Sequence, residues 1–157
     1  MATTIASIDI TSTDLLSDKL SLSAVTTLTN AGSATGVTQT TGLARKKVAS
    51  ASLADLITVA NTDVTAAKSA KVYIKNTSTA TDKYGLIGLG DSTGTPIYIG
   101  RLYGGDWMFI PYEQNDPVAD NGSDNDIEVE ALVGGPQAIE WIMFTESTAT
   151  ILDASGD

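Results

Sequence analysis

Histidine and cysteine are both absent from this 157-residue chain, and proline occurs four times. Without histidine the side chain that most often serves as a general base near neutral pH is missing. Without cysteine there is neither a thiol nucleophile nor a thiolate ligand for zinc. Ser-His-Asp and Cys-His catalysis, HExxH metalloprotease chemistry and zinc fingers are excluded on those grounds. A cysteine-free chain also carries no mark of a redox compartment. Basic residues are scarce, nine Lys and Arg against 19 Asp and Glu for a net charge of −10 at pH 7. That balance opposes broad contact with phosphate backbones or anionic lipid, so neither nucleic acid nor a membrane is an expected partner. Long apolar runs are missing too, since no window approaches the roughly 18 uninterrupted apolar residues of a membrane helix. Met1 to Ser7 lacks the positive and apolar segments of a secretion signal.

What is present is enough for one compact domain. Apolar residues make up 42% of the chain, and at this length folding buries roughly 68–70% of the surface of the unfolded chain, so a core needs no disulfide or metal. The charge is divided unevenly. Residues 1–75 hold seven basic and five acidic residues, whereas 76–157 hold two and fourteen. The plain reading is solubility of one exposed surface. The sharper one is a basic patch steered onto the acidic face of a neighbouring copy.

Hydrophobic periodicity points to strands throughout. Val72 and Ile74 alternate with Lys71, Tyr73 and Lys75, the period-2 pattern of a half-buried strand over 70–76. Further strands are expected at 19–29, 54–60, 84–89, 96–102, 106–111, 126–133 and 138–145, bounded by Gly, Pro, Asn or Asp. Turn sequences such as Tyr103-Gly104-Gly105-Asp106 join apolar runs as antiparallel hairpins would. Asp126, Glu128 and Glu130 alternate with Ile127, Val129 and Ala131, which reads as one wet and one buried face. Ile139 to Phe144 is apolar on both faces except Glu140 and reads as a core or partner-covered strand. Asn30 to Gly42 reads as a loop, and 61–68 as a single helical turn. The expected fold is an all-β antiparallel sandwich, jelly-roll-like, with at most one short helix. Residues 1–18 would form an extended N-terminal arm, 19–152 the sandwich and 153–157 a tail. Ile5, Ile8 and Ile10 give the arm apolar side chains that need a partner.

Candidate sites are few. Gly88 to Gly94 looks like a phosphate loop, but its third glycine stands one place late for GxGxxG and a strand follows it. Gly90-Asp91-Ser92 echoes a hydrolase nucleophile block with no histidine to activate Ser92, and a tight turn accounts for it. Asp116, Asp120, Asp124 and Asp126 offer the oxygen chemistry calcium prefers without EF-hand spacing; the expectation is a solvated acidic loop and no cofactor. Five of nine aromatic residues fall between Tyr98 and Tyr112. They divide between core packing and a platform for a sugar or a partner. Arg45-Lys46-Lys47 is the one basic run, a solvated loop or a contact to an acidic surface on another subunit. Ile5, Ile8, Ile10, Arg45, Lys46, Lys47, Tyr103, Trp107 and Tyr112 are therefore the candidate interface residues.

The order of motifs carries a resemblance. Gly36 and Thr40-Thr41-Gly42-Leu43-Ala44-Arg45-Lys46-Lys47 are followed by Val72-Tyr73-Ile74-Lys75-Asn76-Thr77-Ser78. Then come Ile99 to Pro111, Ile127-Glu128-Val129-Glu130-Ala131 and Ile139-Glu140-Trp141. This resembles the small β-rich virion proteins of tailed bacteriophages, in which a strand ending in Lys-Asn-Thr precedes a hairpin reading Leu-x-x-Gly-(Asp/Glu)-x-x-x-x-Pro. The resemblance covers residues 36–145. It implies a non-enzymatic structural subunit present in many copies, a head decoration or cement protein, or else a tail or fibre component with a receptor- or carbohydrate-binding module. Its implied partners are copies of itself and other virion proteins such as the major capsid protein. Its implied location is the virion, after synthesis in the host cytoplasm without a signal peptide. It carries over no catalytic residue.

Overall fold

The computed structural model describes residues 4–13, 20–28, 39–58, 62–63, 69–90, 95–113, 126–131, 135–145 and 150–151. Thirteen strands follow one another in these segments: β1 (Ile5–Ser12), β2 (Leu20–Thr27), β3 (Gln39–Thr40), β4 (Ala44–Val48), β5 (Ser52–Ile57), β6 (Thr62–Asp63), β7 (Ser69–Asn76), β8 (Tyr84–Gly90), β9 (Ile97–Tyr103), β10 (Trp107–Glu113), β11 (Asp126–Ala131), β12 (Gln137–Thr145) and β13 (Thr150–Ile151). All their pairings are antiparallel. The all-β expectation holds, and among the described residues there is no helix.

Two sheets make the sandwich. One orders β10-β7-β12-β3 with β4 also on β12, and the other orders β5-β11-β8-β9. Alternation along each strand sends one set of side chains between them. Ala70, Val72 and Ile74 from β7, Ile139, Trp141 and Met143 from β12, and Tyr112 from β10 meet Ile87, Leu102, Ile127, Val129 and Ala131 from the opposite sheet. β12 runs through the middle of its sheet, as its two apolar faces led one to expect. At one margin Lys46 reaches across to donate from Nζ to the Asp55 carbonyl at 2.8 Å.

Two short pairings lie outside that frame. β6 joins β13, and β1 joins β2 over eight residue pairs. Thr62–Asp63 are thus extended where a helical turn is expected, and the rest of that turn, like the tail 153–157, lies outside the described residues. The boundary drawn between residues 18 and 19 falls between two strands that pair with each other.

A buried polar clasp locks the sandwich at the end of β7. Asn76 is fully buried; its Nδ2 donates to the Leu102 carbonyl at 3.0 Å and to Gln137 Oε1 at 2.9 Å, and its Oδ1 accepts from the Ser78 N–H at 3.0 Å. Gln137 Nε2 is aimed the other way, at the Gly135 and Pro136 carbonyls. The Asn76 backbone pairs with the β9–β10 turn, accepting from Gly105 and donating to Asp106. That turn needs its glycines for two different reasons. Gly105 has φ of +97°, and a Cβ on Gly104 would lie 2.5 Å from the Ala80 carbonyl oxygen and 2.6 Å from that of Ser78. The Asn-Thr and Leu-x-x-Gly motifs are therefore two halves of one structural joint.

Candidate functional site

The β1–β2 hairpin gathers most of its large aliphatic residues on one face. The register puts Ala6, Ile8, Ile10 and Ser12 there with Leu20, Leu22, Ala24 and Thr26, and Ile5, Ser7, Asp9 and Thr11 on the other with Ser21, Ser23, Val25 and Thr27. The apolar face is uncovered: Ile10 is 50% exposed and Leu22 55%. Leu28 closes the open end, its N–H donating to the Thr4 carbonyl at 2.8 Å. A two-stranded hairpin alone is at best marginally stable in water and needs a surface to pack on. Of the expected arm residues, Ile8 and Ile10 lie on the apolar face and Ile5 on the polar one, all exposed.

The outer face of the β10-β7-β12 sheet is a second uncovered apolar surface. Registered across it are Trp107, Phe109 and Pro111 on β10, Lys75, Tyr73 and Lys71 on β7, and Glu140, Ile142 and Phe144 on β12. Trp107 is 53% exposed and lies 6.1 Å from the Tyr73 ring, while Phe109 and Phe144 meet edge to face at 6.5 Å. Burial and the nearby Glu140 charge raise the Tyr73 phenol above its ordinary value. On β4, Arg45 and Lys47 continue the row. Arg45 Nη2 donates to Glu140 Oε2 at 2.6 Å. The basic run is thus a strand with its own internal carboxylate partner, not a solvated loop, and only Arg45 and Lys47 belong to this face.

The outer face of the other sheet is acidic and differently built. Asp126 and Glu128, expected on a wet face, are both buried. Glycine across the ladder makes the room: Asp126 faces Gly90 and Glu128 faces Gly88 on β8, and a Cβ at Gly90 would run into the Glu128 carboxylate. Tyr98 passes over Gly88 to donate its hydroxyl to Glu130 Oε2. That hydrogen bond, partial burial and the charges of Glu130 and Glu128 push the Tyr98 phenol up to about 12. Gly88 and Gly90 lie in β8, so their part of the phosphate-like run serves packing, while residues 91–94 lie outside the described ones.

The aromatic cluster of the sequence is divided by the fold. Tyr112, an expected interface residue, is a core residue at 4% exposure because alternation along β10 turns it inward. Tyr103 is half-buried against Tyr84, ring centroids 5.2 Å apart, with Arg101 4.1 Å above the Tyr84 ring. Trp107 alone among the expected aromatic interface residues is exposed. Asp116, Asp120 and Asp124 lie outside the described residues, and among the described ones no three acidic groups come together to hold a metal ion. Phe109, Phe144, Tyr73 and Ile142 are not among the expected interface residues, although Phe109 belongs to the aromatic cluster of the sequence and Ile142 and Phe144 to the strand read as core or partner-covered.

No family model and no curated protein matches the chain. Among solved structures, one from work titled "Bacillus endospore appendages form a novel family of disulfide-linked pili" is similar at 14% identity and TM-score 0.38, over 73% of this chain and 97% of that one. This cysteine-free chain has no residue for such a linkage.

Proposed function

We propose that the protein is a non-enzymatic structural subunit that works in many copies, joined by contacts between copies. The observation that carries the reading is the β1–β2 hairpin, a two-stranded ribbon whose apolar face nothing among the described residues covers. The motif order of residues 36–145 gives the proposal its specific form, a decoration or cement protein on the head of a tailed bacteriophage, contacting the major capsid protein as well as itself. A tail or fibre component is the alternative location.

Native mass measured against protein concentration tests the reading. Association that grows with concentration and is abolished by Ile8→Ser with Ile10→Ser supports it; a monomer at every concentration, wild type included, refutes it. The competing reading is a carbohydrate-binding module, favoured by the half-exposed Trp107 beside Tyr73. Glycan binding by a monomer, lost in Trp107→Ala with the fold intact, would select that one instead.

A further inference from the structure

We propose that the apolar face of the β1–β2 hairpin seats on the aromatic outer face of the β10-β7-β12 sheet of a second copy, joining copies head to tail. This rests on the self-assembling role proposed above and names the surface that role uses.

Edge pairing is the obvious alternative, and the fold blunts it. β10 ends its sheet and carries Pro111, which breaks the row of N–H donors. β5 and β9 end the other sheet, and each has an irregular register against its neighbour, between Ile127 and Glu128 and between Ile87 and Gly88. The fourth margin is split between the short β3 and β4. Within the sandwich, faces and not edges are left to make the contact.

Two faces are open on the same chain and neither covers the other, as the exposure of Leu22 and Trp107 shows. They match in kind and in size. Ile8, Ile10, Leu20 and Leu22 form an aliphatic strip over the five register positions Ile8–Ser12, roughly 13 Å at about 3.3 Å per residue. Trp107, Phe109, Tyr73, Ile142 and Phe144 form a strip across three adjacent strands. Two sheets laid face to face at about 10 Å would bury both. The two segments are also opposite in net charge. By sequence, residues 1–28 carry Asp9, Asp14 and Asp18 against Lys19, with Asp9 on the face of the hairpin turned away from the contact. The aromatic strip is flanked by Lys71, Lys75, Arg45 and Lys47, with Glu140 tied to Arg45 and Glu113 at the end of the β10 row. Because donor and acceptor surfaces differ, the contact is heterologous and propagates into a ring or filament.

The test uses full-length chains with one surface disabled in each. A hairpin variant, Ile10→Asp with Leu22→Asp, keeps the sheet face; a face variant, Trp107→Ser with Phe109→Ser, keeps the hairpin. Circular dichroism and a cooperative thermal melt check that both keep the folded sandwich. Light scattering is expected to show concentration-dependent assembly of the wild type, monomers of each variant alone, and a doubling of mass that stops at two copies when the variants are mixed. In a second pair of chains, Lys71→Glu with Lys75→Glu leaves the apolar strip intact and is expected to weaken wild-type association at least tenfold at low salt and less at high salt. A face variant that assembles like the wild type, or a mixture that stays monomeric while the wild type assembles, overturns this docking mode and leaves the structural role standing. A wild type that never assembles overturns both.

Discussion

Replacing Asn76 by alanine removes the polar clasp without touching either open face. Three hydrogen bonds disappear, to the Leu102 carbonyl, to Gln137 Oε1 and from the Ser78 N–H. A buried group left without its partner costs about 1–3 kcal/mol. The Leu102 carbonyl and Gln137 oxygen lie inside the sandwich, whereas the Ser78 end is part-buried and recovers some solvation. The expected loss is therefore about 3 kcal/mol, or about 6–12 °C in Tm for a domain of this size. Urea unfolding followed by tryptophan fluorescence and circular dichroism reads it, with m unchanged. A loss below about 1 kcal/mol would refute the clasp. Asn76→Asp sharpens the test, because it keeps the shape and turns a carboxyl group toward two oxygen acceptors. Protonated, the introduced group can still donate one hydrogen bond; ionised, it can donate none. Its folded-state pKa is then raised above the ordinary carboxylate value near 3.9. Stability should be nearest the wild type at about pH 4 and fall as pH rises through the raised value. A pH-independent penalty would show that the amide nitrogen does not face those oxygens.

Two further outcomes follow from single positions. Gly104→Ala should lower Tm more than Gly105→Ala, since the first places a methyl group against two backbone oxygens and the second adds only left-handed strain of about 1–2 kcal/mol in open space; thermal melts in the opposite order would refute the joint. Tyr98 should ionise late, near 12, and because that value is raised in the fold, the stability it adds is present below pH 10 and lost as pH climbs from 10 toward 12. In Glu130→Gln the late component of the tyrosinate titration should move down toward 10, and a titration left unmoved would sink the pairing.

How much of this was legible in the sequence depends on what each residue's partners are. Val72 and Ile74 announce β7 because strict alternation is a property of one strand. β4 is silent, since Arg45, Lys46 and Lys47 show no period of two; it exists because β12 offers a ladder and Glu140 stands opposite Arg45. Alternation along β11 separated its two faces correctly but could not show that the acidic one is buried. That burial depends on Gly88 and Gly90 across the ladder and on Tyr98 beyond them, three residues from other strands. Tyr112 was misjudged for the same reason: aromatic density along the chain says nothing of which way each ring turns.

The two strands of the hairpin were legible but their pairing was not, since the sequence reads 1–18 as an arm and 19–29 as a strand of the sandwich, whereas β1 and β2 pair with each other. Ile5, Ile8 and Ile10 mark an apolar segment that needs a partner, and β2 supplies only half of the need. Pairing satisfies the backbone between the two strands, while the register gathers Ile8, Ile10, Leu20 and Leu22 on the side away from Ile5 and Val25 and leaves most of that face in water. Hydrogen bonds that close a ladder contribute little net stability when water is the competitor, so an isolated ribbon gains too little to offset the entropy of ordering its residues. The missing contribution has to come from burying Ile8, Ile10, Leu20 and Leu22. If a second copy provides the cover, folding of the hairpin and association are one equilibrium, and the apparent stability of residues 5–27 is set by protein concentration, while that of the sandwich, with its own core and clasp, is not.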